Sequence, residues 1–233
     1  MSDKLSLTRG YNLLRMNADT QNRDAAFTLS GREYELLEGV FSPTLCPSTE
    51  IYAKWLPYPA GGSFLEIGAG AGVISVTAAL SGCAQVTALD INETAVENTR
   101  RNVARHGVAD RVHVLHSDMY SALDRETRFD LVFWSSSFIE PPTDFAHETP
   151  LHHAIFDPGY VMHQEFLRSA AGHLEPGGRL LLGYSNMGNR ALLTEVAGNA
   201  GLRFEQIHAA PHPQLADVEY QLLEFHTADR PAG

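Results

Sequence analysis

Cysteine is scarce: Cys46 and Cys83 are the only two in a chain of 233 residues. That count excludes a cysteine-built metal cluster. Both lie in apolar surroundings and suit a reducing compartment, so a cytoplasmic protein is expected. Long apolar runs are also lacking. No stretch reaches about 18 residues and no charged-then-apolar leader is present, so neither a membrane span nor a signal peptide is expected. Positive charge is in short supply, with 17 Lys+Arg against 28 Asp+Glu and a formal net charge of −11. Such a surface repels phosphate backbones. The densest basic group, Arg100, Arg101 and Arg105, shares a helix with Glu93 and Glu97 and reads as solvated i,i+4 pairing. No nucleic-acid or membrane partner is therefore expected. Repeats and low-complexity tracts are absent. What remains is ordinary for a globular protein, 44% hydrophobic and 19% charged, and long enough for one substantial core with a small appendage.

The stretch Phe64-Leu65-Glu66-Ile67-Gly68-Ala69-Gly70-Ala71-Gly72-Val73 organises the chain. Residues 63–67 read as a buried strand and 73–80 as a helix that Gly82 stops. Glycines at i, i+2 and i+4 form a tight turn where a ligand can lie against bare backbone. The N–H groups of the following helix favour a negative group there. A glycine-rich connection without a ligand is the competing reading of this turn taken alone. Eighteen residues after Gly72, however, the strand 85–89 ends in Asp90, whose carboxylate suits both hydroxyls of a ribose. Ile91 follows, with its side chain open between the adenine face and the core. The third glycine arrives one residue early for the dinucleotide pattern. Glu66 would repel a pyrophosphate but suits an ammonium or a sulfonium. An NAD-dependent oxidoreductase is thus the remote alternative.

From Gly61 onward strand and helix alternate at intervals that demand a parallel sheet. Strands are expected at 63–67, 85–89, 112–115, 128–134 and 179–184, and helices at 73–80, 93–105, 163–173 and 189–199. Residues 204–208 and 220–227 read as an antiparallel last pair joined by a proline-bearing connection. The fold class is α/β, a doubly wound, mostly parallel sheet. Ahead of it, 26–29 and 32–37 flank Ser30-Gly31 and read as a hairpin. A two-proline segment follows, and Ser48 is expected to cap a helix over 49–56. A helix over 8–16 is open between a lid and an oligomer contact, and the oligomeric state is left unassigned.

Glu-Ile-Gly-Ala-Gly-Ala-Gly closely resembles motif I of the class I S-adenosylmethionine-dependent methyltransferases, and the resemblance runs from about Phe41 to the C-terminus. Glu175-Pro-Gly-Gly-Arg-Leu-Leu-Leu is similar as well. The hairpin, proline loop and helix resemble the entry to the small methyltransferase domain of the release-factor glutamine methyltransferases. The resemblance implies a Rossmann-like methyltransferase domain over 61–233 behind an N-terminal cap over 1–60. It implies S-adenosylmethionine along Gly68, Ala69, Gly70 and Gly72, its amino acid end near Glu66 and its ribose on Asp90. It also implies that Asp118, with Met119 beside it, receives the adenine amino group, and that the loop bearing Phe41 covers the cofactor.

The methyl acceptor must approach at the carboxyl end of the fourth strand. In the glutamine and adenine N-methyltransferases this place reads Asn-Pro-Pro-Tyr, whereas here it reads Ser135-Ser136-Ser137-Phe138. A serine hydroxyl is shorter and offers no amide carbonyl. The departure leads to an expected small-molecule acceptor, an aromatic or heterocyclic specialised metabolite methylated at C, N or O, with Trp134 and Phe138 as apolar walls. A protein glutamine is the alternative. An attacker that carries a proton is helped by a base. His152, His153 and Tyr160 are the candidates in an exit loop that also holds Glu140, Asp144, His147 and Asp157, with His163 just beyond. No metal is assigned, because His147, His152, His153 and Asp157 match no ligand spacing.

Overall fold

The structure, a computed structural model, describes residues 3–19 and 25–228. A two-stranded hairpin, β1 (Ala26–Leu29) and β2 (Arg32–Glu35), precedes the main sheet. That sheet comprises β3 (Ser63–Ile67), β4 (Gln85–Asp90), β5 (Val112–His116), β6 (Phe129–Ser135), β7 (Leu174–Ser185), β8 (Leu202–Pro211) and β9 (Glu219–Thr227). Successive side chains of a strand go to opposite faces, and here both faces are apolar. Phe64, Val86 and Phe133 belong to the core under α2 (Ser48–Trp55), α3 (Val73–Leu80) and α4 (Glu93–Arg105). Their neighbours Leu65 and Val132 join the core under α6 (Val161–Ala170) and α7 (Arg190–Asn199). Helices on both faces of a largely parallel sheet make the expected doubly wound α/β fold.

The strand order is β5-β4-β3-β6-β7-β9-β8, with β9 antiparallel to both neighbours. The connection between β8 and β9 is too short for a crossover helix, so the chain turns straight back. The order reverses at β3, which has β4 on one side and β6 on the other. Ile67 is level with Leu89 and with Trp134, so three strand tips open into one crevice. No helix among the described residues is long and apolar enough to cross a membrane.

Several boundaries differ from expectation. Helix α2 starts at Ser48, and Pro47 takes the cap position without a side-chain bond. The Ser48 hydroxyl instead lies 3.2 Å from Cys46 Sγ. The exit loop contains a short helix, α5 (Pro150–His153), and α6 begins at Val161. The hairpin is held to α4 by two asparagines that the sequence does not advertise. Asn98 accepts from Leu37 N at 2.8 Å and donates to Glu35 O at 2.9 Å. Asn102 accepts from Glu35 N at 2.7 Å and donates to Ala71 O at 2.9 Å, so it ties the hairpin to the glycine turn as well.

The first helix, α1 (Lys4–Ala18), is longer than expected and starts where Asp3 accepts from Ser6 N at 2.7 Å. Its Leu7, Leu13 and Leu14 pack on the small core of Ile139, Ile155 and Phe156. Arg9 pairs with Asp217 at 2.8 Å, and Asn17 accepts from Ser42 N at 2.6 Å. Between these ties Gly10 lies against Phe156, and a β-carbon there would sit 2.7 Å from Cε1 of that ring. Gly10→Val is therefore expected to lift α1 off its seat. Limited trypsin digestion at Arg9 and Arg15 should accelerate several-fold while the main unfolding transition moves little; unchanged protection of α1 would contradict this packing.

Candidate active site

At the end of β3 the chain turns on Gly68, Gly70 and Gly72, with φ of 69°, 57° and 77°. This left-handed conformation is one that glycine adopts without steric cost. The N–H groups of Gly68 and Ala69 both donate to Leu89 O, at 2.8 and 3.0 Å, and pin the turn to the tip of β4. A β-carbon on Gly70 would meet nothing within 4 Å, whereas one on Gly72 would meet Thr99 Cγ2 at 2.9 Å. Gly70 thus leaves bare backbone on the crevice. Gly72 lets the turn pack on α4 and lies outside the cavity wall.

The crevice is a cavity of about 350 Å³. Its walls are the glycine turn, the tips of β4 and β5, the proline loop at 41–49, the exit from β6, and α1 as a cover. Two buried carboxylates face it. Glu66 is 2% exposed. Burial pushes its carboxyl up to about 8, with the charge of Asp90 adding to the effect and the donating Ser75 hydroxyl opposing it. Asp90 accepts from Gly70 N at 2.8 Å and from Asn92 N at 2.9 Å. Burial also raises Asp90, while these N–H groups draw it back. Each Asp90 oxygen keeps acceptor capacity for a further donor. A ligand carrying both a positive charge and vicinal hydroxyls would offset the desolvation of both groups, and S-adenosylmethionine has that character.

Phe41, Ile91, Asp118 and Met119 also line the cavity, as do Trp134, Ser135, Phe138 and His153. The three serines at the mouth differ in what holds them. The Ser136 hydroxyl donates to Gly183 O at 2.8 Å, and the Ser137 hydroxyl donates to His153 O. Ser135 Oγ alone of the three has no protein partner among the described residues. His153 stacks on His147 with ring centres 4.0 Å apart, and its Nδ1 is buried without a partner. Burial and then the neighbouring His147 lower its pKa, which keeps the imidazole neutral at neutral pH.

Two expected catalytic residues lie elsewhere. His152 Nδ1 accepts from Thr149 N at 3.0 Å and closes the first turn of α5, so it does not line the cavity. Tyr160 donates to Phe138 O at 2.6 Å and accepts from Asn189 N at 2.8 Å. Its phenol is buried, which raises its pKa far above the ordinary value, and it braces the loop from behind. Asp157 accepts from His163 Nδ1 at 2.7 Å rather than facing His147 or His153. Parts of the wall come from positions that no local pattern marks: Leu13 on α1, Met187, and Leu215 and Tyr220 around the β8–β9 turn.

A family model described as methyltransferase small domain matches residues 33–206. A release factor glutamine methyltransferase of Bordetella pertussis is 31% identical, over 83% of this chain and 74% of its own length. A ribosomal RNA small subunit methyltransferase C of Haemophilus influenzae is 32% identical, over 66% of this chain and 42% of its own length. Among solved structures, a T. thermophilus 16S rRNA N2 G1207 methyltransferase in complex with AdoMet and guanosine is similar in fold. Its TM-score is 0.60 at 24% identity, covering 88% of this chain and 50% of that one. These findings overturn the expected small-molecule acceptor and the expected lack of a nucleic-acid partner, since the relatives are named for methylating a protein or ribosomal RNA. Missing prolines and asparagine at the mouth reveal an altered clamp; they do not reveal the size of the acceptor.

Glu66 gives the unliganded protein a signature in pH. Its folded value of about 8 lies above the 4.5 of the free side chain. The stability it permits is present below about pH 4.5 and is lost as pH rises through about 8. Relative to Glu66→Gln, the wild type is expected to lose on the order of a few kcal/mol across that window. Parallel stability–pH curves for the two proteins in chemical denaturation would contradict the burial argument.

Proposed function

This chain belongs to the methyltransferase small-domain family and is an S-adenosylmethionine-dependent methyltransferase, and we propose that its acceptor is a glutamine side-chain amide presented by a protein. The observation that carries the proposal is the unpartnered Ser135 hydroxyl at the tip of β6, bordering the cavity beside the glycine turn. A hydroxyl there accepts one N–H of a planar amide and steers its nitrogen. The cavity, about 350 Å³, is near the lower end of the roughly 300–1,000 Å³ usual for ligand sites. The excess of acidic residues favours a basic protein surface as partner. The Bordetella pertussis relative, named for a glutamine acceptor, matches 83% of the chain, which also supports this reading.

Gly68, Ala69 and Gly70 would hold the cofactor against backbone, Glu66 would take its ammonium, and Asp90 would take the ribose hydroxyls. Asp118, with Ile91 and Met119 beside it, would serve the adenine amino group, and Phe41 would cover the site. Bound there, the cofactor supplies an electrophilic sulfonium methyl. Ser135 orients the attacking nitrogen, and Trp134 and Phe138 exclude water. His153, neutral and with ring nitrogens free of protein partners, takes the proton that the nitrogen releases. Residues 1–60 act as a cap on a methyltransferase domain over 61–233, with α1 closing the mouth.

Incubation with labelled S-adenosylmethionine and, in separate arms, release factors, ribosomal proteins and ribosomal RNA tests the acceptor. Label on a glutamine of a protein is expected; label confined to an RNA base would overturn the proposal. For the cofactor, Asp90→Ala is expected to weaken binding by about 1.5–3 kcal/mol through loss of charge-assisted bonds to the ribose. Unaltered affinity by calorimetry would sink the pose.

A further inference from the structure

We propose that the indole N–H of Trp134 is a specificity donor for the carboxylate at the amino acid end of the cofactor. This rests on the cofactor orientation given above and names a contact within it. Trp134 is 4% exposed, and its ring is fixed by Phe166 at 5.4 Å and His163 at 4.7 Å between ring centres. His163 is in turn held by Asp157. An indole N–H is a donor that calls for an acceptor. Nε1 of Trp134 has no protein acceptor among the described residues and, unlike His153 Nδ1, is not sealed from solvent, so it is open to a ligand in the cavity. It lies 3.5 Å from the point where a β-carbon on Gly68 would be, and the residue lines the cavity. An unpaired donor on a rigid ring therefore faces the space over Gly68.

The positions of the neighbouring charges say what the donor is for. An α-amino acid carries its ammonium and its carboxylate on one carbon, so a site that takes the first must accommodate the second beside it. Glu66 suits the ammonium and repels the carboxylate. Glu66 is bonded to Ser75 of α3, while Trp134 packs under α6, so the two approach the cavity from opposite faces of the sheet. The carboxylate can then turn from Glu66 toward the indole N–H. In β6 the aromatic residue stands directly before the three serines, so one strand end serves the cofactor's anionic end and then the acceptor.

Calorimetry of wild type and Trp134→Phe with S-adenosylmethionine and with its decarboxylated analogue tests the assignment. The variant is expected to bind S-adenosylmethionine roughly tenfold or more weakly and the analogue as well as the wild type does. An equal loss for both ligands, or no loss for either, would overturn it. A second measurement needs no variant to bind. The chain has two tryptophans, Trp55 and Trp134, and hence two indole N–H signals by NMR. S-adenosylmethionine should move the Trp134 signal downfield and the analogue should not; identical responses would overturn the assignment. The Asp90→Ala titration separates the two levels. If that variant binds normally, the cofactor orientation itself fails. If it binds weakly while the Trp134 arms show no carboxylate dependence, only the indole contact fails.

Discussion

Two carboxylates buried within one cavity wall are the constraint on which the rest of the site depends. Glu66 and Asp90 stand at the tips of neighbouring strands, and burial raises both. Neither has a cationic side chain as its hydrogen-bond partner: Ser75 serves one, and the backbone N–H groups of Gly70 and Asn92 serve the other. An apolar core tolerates such groups only if something offsets their desolvation. A cationic nucleoside bound where the strand order reverses would do so. The family's cofactor and the burden the fold carries are thus two aspects of one arrangement.

The remaining elements hold that arrangement in register. Leu89 O fixes the glycine turn, Gly70 N fixes Asp90, and Asn102 fixes Ala71 to the hairpin strand β2. The hairpin is therefore wired to the glycine turn. Helix α1 covers the other side, tied to the β8–β9 turn by Arg9 and to the proline loop by Asn17. Residues near the two ends of the described chain meet over the same mouth. A macromolecular acceptor would approach the site beside this cover, so α1 borders its path under the proposed function.

The sheet and the glycine turn were legible because their causes are local. A strand buried on both faces must be apolar throughout, as Leu131–Trp134 is, and a left-handed turn strongly favours glycine. The role of each glycine was less legible: Gly72 has the same conformation as Gly70, yet it packs on Thr99, which is 27 residues away in sequence. The exit loop was hardest to read. His152 and Tyr160 look like free acids or bases until Thr149, Phe138 O and Asn189 N are seen to occupy them. Those partners are set by how the loop folds back, which no periodicity encodes. The acceptor class was illegible for a related reason: Ser135-Ser136-Ser137 shows which groups of a known clamp are missing and leaves unstated how large the acceptor is.

Proton exchange on cofactor binding tests the central electrostatic claim most directly. Titration of S-adenosylmethionine into the protein near neutral pH, in buffers of different ionisation enthalpy, counts the protons that accompany binding. Glu66 is largely protonated there because its value is about 8, and pairing with an ammonium ionises it. A net release approaching one proton is predicted. Binding with no proton released, or with proton uptake, would contradict the role given to Glu66 and with it the electrostatic basis of the site.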